Sequence, residues 1–128
     1  VAYTSYHKHG AYLILNSFMP GLSTGEQEVL ATLVRMHRRK LPAVEDIPDL
    51  PPLGLIPILR LSVVLRLAVL LNRSRSPDPL PAFLMEASVG SLRLVFAERY
   101  LEEHPLTYAD LQAEAALLEV RGFELTVQ

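Results

Sequence analysis

Cysteine and tryptophan are both absent from this 128-residue chain. Without cysteine there is no disulfide, no thiolate nucleophile and no cysteine-bound zinc, a pattern that fits a cytoplasmic protein. Aromatic residues make up 7% of the sequence and do not interleave with its basic cluster, so a base-stacking nucleic-acid surface is not expected. No charged-then-apolar leader follows Val1, and the chain reads as a piece of something longer. Acidic residues are missing from one whole stretch, Pro57 to Arg73.

Apolar residues are plentiful. They form half of the chain, enough to build a core and to argue against intrinsic disorder. The stretch from Leu53 to Leu71 runs for 19 residues and invites a membrane reading, but Arg60 and Arg66 lie inside it and Pro57 interrupts it. Two arginines make insertion costly by about 5–7 kcal/mol. A buried central helix is therefore expected, with no membrane partner.

Charge is unevenly spread. Residues 1–76 hold nine Lys and Arg against five Asp and Glu, a net +4, whereas residues 77–128 hold three against nine, a net −6. Two units with different tasks are implied, with a boundary at Ser74-Arg75-Ser76-Pro77-Asp78-Pro79. Before it, periodicity of 3.6 predicts helices. The first covers about Tyr6 to Asn16, with Ala11, Ile14 and Leu15 on one side. Ser23 and Glu26 form a capping box for a second helix, striped by Val29, Leu30, Leu33, Val34 and His37. A proline-rich loop over 42–54 precedes a helix, apolar almost all round, that should run through the core to Arg73. After the boundary the period changes to two. Strands are predicted from Pro81 to Ala87 and Ser91 to Ala97, then a short turn at Tyr100–His104. A helix opened by Thr107 and Asp110 follows, with Leu111, Ala115 and Leu118 buried. Gly122 stops it, and a last strand covers Phe123–Val127. The fold expected is mainly α with an α+β tail of strand, strand, helix, strand.

The basic residues gather in two places: His7-Lys8-His9 at the first helix start, and Arg35-Met36-His37-Arg38-Arg39-Lys40 at the second helix end. A helix start already favours anions, and arginine grips phosphate oxygens in pairs. His7, Lys8, His9, Arg35, Arg38, Arg39 and Lys40 are thus candidate polyphosphate contacts. The ordinary alternatives are surface or core packing for the histidines, and simple stabilisation of a helix C-terminus for the cations. His37, on an apolar stripe, reads as a hydrogen-bonded structural residue. Arg66 and Arg73 lie on one side of their helix and read as structural too, tying the helical unit to the acidic tail through Glu98, Glu102 or Glu114.

Four segments, in order, resemble the C-terminal half of the exopolyphosphatase/guanosine pentaphosphate phosphohydrolase family. They are His7-Lys8-His9-Gly10-Ala11-Tyr12-Leu13-Ile14 with Asn16-Ser17; Leu33-Val34-Arg35-Met36-His37-Arg38-Arg39; Leu59-Arg60-Leu61 with Arg66-Leu67-Ala68-Val69-Leu70-Leu71-Asn72-Arg73; and His104-Pro105-Leu106-Thr107 with Asp110-Leu111 and Glu114. The resemblance implies an HD-like helical unit, missing its first helices, over 1–76 and a small α/β tail over 77–128. It also implies two preceding actin-like domains that bind the phosphate chain and magnesium and perform the hydrolysis. Neither they nor their glycine-rich phosphate loops are in this sequence, so no catalytic residue is assigned.

A metal site of the HD kind is not expected either. It needs carboxylates beside imidazoles. His9 and His37 could supply two ligands, but the His-Asp dyad would precede Val1, and Arg66 stands on the helix where a closing aspartate belongs. The chain is expected to need no cofactor and to be inactive alone. Two functions remain open: an accessory region holding polyphosphate for the catalytic domains, or a structural module that makes a homodimer.

Overall fold

The computed structural model describes residues 6–50, 53–73 and 79–128, with side chains from Lys8 onward. Five α-helices and three strands follow one another as α1 (Tyr6–Asn16), α2 (Thr24–Met36), α3 (Leu55–Asn72), β1 (Leu84–Ser88), β2 (Ser91–Val95), α4 (Tyr100–Glu103), α5 (Pro105–Glu119) and β3 (Glu124–Val127). The chain is thus mainly α with an α+β tail. It divides into two compact units, Val1–Val69 and Leu70–Gln128. The boundary expected around Ser74–Asp78 lies outside the described residues.

In the helical unit, α1 packs on α2. Gly10 permits the approach, since a Cβ there would meet Val34 Cγ1 at 3.3 Å. Ser23 caps α2 through its hydroxyl, which accepts from the Glu26 amide at 3.1 Å, while Glu26 accepts from the Ser23 amide at 2.9 Å. Hydrogen bonding to the carboxylate, first from the Ser23 amide and then from the Ser23 hydroxyl, holds the Glu26 carboxyl below its ordinary pKa. Gln27 then reaches back, donating to Ile14 O at 2.6 Å and Ser17 O at 2.7 Å. It satisfies carbonyls that the end of α1 leaves open.

The buried face of α2 is not the predicted stripe. Ala31, Thr32 and Met36 are buried, whereas Val29, Leu33, Val34 and His37 are half-buried and Leu30 is exposed. The stripe meets α1 at Val34, and the opposite side takes the deeper position. On α1, Ala11 is buried as expected but Leu15 is exposed. The 42–54 loop contains a 3-10 turn at Val44–Asp46 and buries Ile47 and Leu50, and Leu41 just before it is buried too.

Helix α3 also departs from expectation. Ile58, Ser62, Val63, Arg66, Leu67 and Leu70 are buried at helical spacing, but Ile56, Leu61 and Val64 are exposed. Apolar composition on every side does not place a helix in the middle of a core. By length and composition α3 would also suffice to cross a membrane, with a mean hydropathy of 2.0 over 18 residues. That property alone is weak, and the buried Arg66 in its middle opposes it.

In the second unit, β1 and β2 form a hairpin around Val89-Gly90, pairing Leu84 with Val95 and Ser88 with Ser91. Strand β3 joins β2 in parallel, Leu92 opposite Leu125, so the order is β1-β2-β3. Strands β1 and β2 start later or end sooner than predicted, and β1 is exposed along its whole length. Leu92, Leu94 and Phe96 point inward with the period of a strand, and meet a core that includes Leu111, Leu118 and Leu125. Helix α5 begins at Pro105 rather than at Thr107, because proline suits the first helical position, where no N–H is needed. Glu114, not Ala115, shares its buried face with Leu111 and Leu118. The helix ends as expected near Gly122, whose φ is 78°. Phe123 N–H donates to Leu118 O at 3.0 Å and Gly122 N–H to Glu119 O at 2.9 Å, the two bonds of a Schellman stop.

Candidate functional site

The second basic cluster straddles a helix end, with Arg35 in the last turn of α2. Helix α2 stops at Met36, and His37 already serves as its C-cap with φ −78° and ψ −5°. Arg38, Arg39 and Lys40 follow in a bend, all three exposed. Arg39, two residues past that cap, has φ 62°, a left-handed conformation that glycine adopts far more readily than arginine. The His37 ring is anchored locally, its Nδ1 donating to Val34 O.

What holds the bend is a residue 27 to 30 positions away. Arg66, 4% exposed, projects from α3 and donates through Nη1 to Met36 O at 2.8 Å and through Nη2 to Arg39 O at 2.5 Å. Its guanidinium thus meets the negative end of α2, where it takes the Met36 carbonyl that the helix leaves open, and joins it to a carbonyl of the bend. Of the acids that the sequence offers to Arg66 and Arg73, Glu102 faces Arg99 at 3.5 Å and Glu114 is buried; Arg73 is exposed.

Two other candidates come together elsewhere. Lys8 and Arg35 line a cavity of about 580 Å3 between α1, α2 and the 42–50 loop. Its floor is apolar, with Ala11, Ala31, Met36, Ile47 and Leu50, but Glu28, Asp46 and Asp49 line it too. Three carboxylates beside two cations make a poor bed for a polyanion. Those acids were missed in the sequence because two of them lie in a proline-rich loop that carries no periodic signal. His9 is exposed on α1 outside that cavity. His7 is the second residue of α1, and its side chain lies outside the described residues. Among the described residues no three of His, Asp and Glu gather as a metal site would require. The second unit adds a column of rings that the sequence did not announce: Phe83, Phe96, Tyr100 and His104, with successive centroids 5.0, 5.1 and 4.1 Å apart.

The family model for "Ppx/GppA phosphatase, domain III" matches residues 1–115. The chain belongs to the Ppx/GppA phosphatase family. It corresponds to domain III, a part of a larger enzyme. Among its curated relatives are proteins named guanosine-5'-triphosphate,3'-diphosphate pyrophosphatase. The one from Pseudoalteromonas translucida is 33% identical over 99% of this chain, and the one from Pseudoalteromonas atlantica 35% identical over all of it. A third, from Vibrio atlanticus, is 29% identical over 94% of the chain. The chain spans about a quarter of the length of these relatives. In this chain the region is mainly helical with a small sheet, and it carries an exposed cationic bend braced by Arg66.

Proposed function

We propose that this chain is a non-catalytic accessory region of a Ppx/GppA phosphatase that helps to hold a polyphosphate chain for hydrolysis by the other domains of that enzyme. The observation that carries this reading is the run Arg38-Arg39-Lys40, three exposed cations on one braced bend in a chain of net charge −2. Arginine and lysine side chains there are accessible to successive phosphates from solvent, because all three are exposed. His7, Lys8, His9 and Arg35 are the outer candidates; Lys8 and Arg35 share their cavity with carboxylates, which weakens their share. The hydrolysis itself, and the magnesium that serves it, would belong to domains with which this region is partnered. No residue in this region is assigned a chemical step.

Binding of inorganic polyphosphate, measured by calorimetry, tests the reading. Arg38→Ala with Arg39→Ala should weaken binding well beyond twofold; a smaller loss removes the cationic bend from the account. The relatives' names point to guanosine-5'-triphosphate,3'-diphosphate as the alternative source of phosphates. Tighter binding of that nucleotide than of polyphosphate would move the proposal from the long chain to the nucleotide.

A second reading is an assembly module that forms a homodimer and binds no ligand. It is favoured by Ile56, Leu61 and Val64, apolar and 44–60% exposed on α3. Light scattering separates the two: a stable dimer that ignores polyphosphate at every salt concentration is the outcome this second reading requires.

A further inference from the structure

We propose that Arg66 is a positioning residue for an anion site on the Arg38-Arg39-Lys40 bend, where the three side chains and the amides between them take the phosphate groups of a phosphoanhydride chain. The proposal rests on the reading above and adds the residue that shapes the site.

The left-handed backbone at Arg39 is the starting point. With φ 62°, it occupies a region that L-residues avoid because Cβ crowds the following carbonyl. Glycine would adopt it freely, and it is the usual occupant after a helix C-terminus. An arginine here keeps a cation at the apex of the bend, provided something else holds the backbone. Arg66 does so with one planar fork, which joins Met36 O and Arg39 O at 2.8 and 2.5 Å. Because Arg66 is buried, water competes little for either bond. Fixing those two oxygens fixes the peptides between them.

That backbone has a second property. The hand changes between His37, with φ −78°, and Arg39, with φ 62°. Arg38 lies between them, and successive N–H groups in a turn of this kind can form a concave anion-binding arrangement. Among the described residues, the amides of Arg38, Arg39 and Lys40 donate to no backbone carbonyl. Amides and three exposed cations are thus gathered on one short segment, and Arg66 reaches it from the inside without touching the ligand.

The test is the salt dependence of polyphosphate binding to the 128-residue chain in four forms: wild type, Arg39→Gly, Arg66→Lys and the double variant. Each lost phosphate contact lowers the slope of log K against log salt by about 0.7–0.9. Arg39→Gly keeps the bend and removes one cation, so it should lower the slope by about one such step. Lysine at 66 is a point charge and not a fork; the bend relaxes, and the slope should fall by about two to three steps. In the double variant glycine holds the bend unaided, and the slope should return to that of Arg39→Gly. A purely structural Arg66 would give no such rescue. An Arg66→Lys slope equal to wild type, or a double variant no better than Arg66→Lys, overturns the proposal. Should lysine at 66 cost the fold, nuclear magnetic resonance of the wild type decides: polyphosphate must shift the Arg38, Arg39 and Lys40 amides, and unmoved amides despite binding overturn it. Absence of binding by the wild type would instead sink the reading of the function.

Discussion

Arg66 does at the scale of one residue what no local signal in the sequence announces. It donates to main-chain oxygens 27 and 30 positions away, and a carbonyl carries no side-chain identity to read. The sequence therefore offered only an arginine in an apolar helix, with nothing to point to these two carbonyls. Arg66→Ala should destabilise the fold by about 2–4 kcal/mol, because one buried and one part-buried carbonyl lose charge-assisted bonds; urea denaturation of the variant measures it. Ser23 and Glu26 are the opposite case. Both ends of the capping box lie within four residues, so the motif was readable and its two bonds are present. Ser23→Ala should cost about 1 kcal/mol at neutral pH. The pH dependence has a definite sign. The Glu26 carboxyl is held below its ordinary 4.5, first by the Ser23 amide and then by the Ser23 hydroxyl. Its contribution is therefore fully present above that ordinary value and is lost as pH falls through the lower folded value. Glu26→Gln should flatten the acid limb of a thermal stability profile; an unchanged limb would remove the carboxylate from the account.

At the scale of elements, positions that depend on chain direction were legible and positions that depend on packing were less so. The order of helices and strands follows from the change of apolar period, and the stop at Gly122 follows from a glycine placed where φ must reach 78°. Gly122→Ala should accordingly cost about 1–2 kcal/mol, measured by thermal denaturation. Which side of a helix is buried is another matter when apolar residues lie on every side. Helix α3 has leucine, isoleucine or valine around its whole circumference, yet Ile58, Val63 and Leu67 are buried while Ile56, Leu61 and Val64 are exposed. Leu67→Ala should cost about 2–4 kcal/mol, within the range for a buried leucine. Leu61→Gln should stay within about 0.5 kcal/mol, as surface changes do. Equal costs at the two positions would contradict the one-sided burial. The same exposed face is where the assembly reading finds its support, so Leu61→Gln should also shift a self-association equilibrium if that reading holds. On α2 the core lies at Ala31 and Met36 because the stripe at Val34 is taken up by Gly10 of α1.

At the scale of the molecule, a net basic stretch over residues 1–76 and an acidic one over 77–128 share one chain, and the structure divides it between Val69 and Leu70. Family membership places that chain in a Ppx/GppA phosphatase, of whose curated relatives it spans about a quarter. The candidate site was legible as a list of cations. Its geometry was not: Lys8 and Arg35 turn toward a cavity that also contains Glu28, Asp46 and Asp49, while Arg38, Arg39 and Lys40 stand apart on the bend. The central claim is that this bend holds a phosphate chain. Calorimetric binding of inorganic polyphosphate at low and moderate salt tests it most directly. The account predicts binding that weakens steeply as salt rises, since each neutralised phosphate releases a counterion. No binding at any salt concentration, from a correctly folded chain, would contradict it.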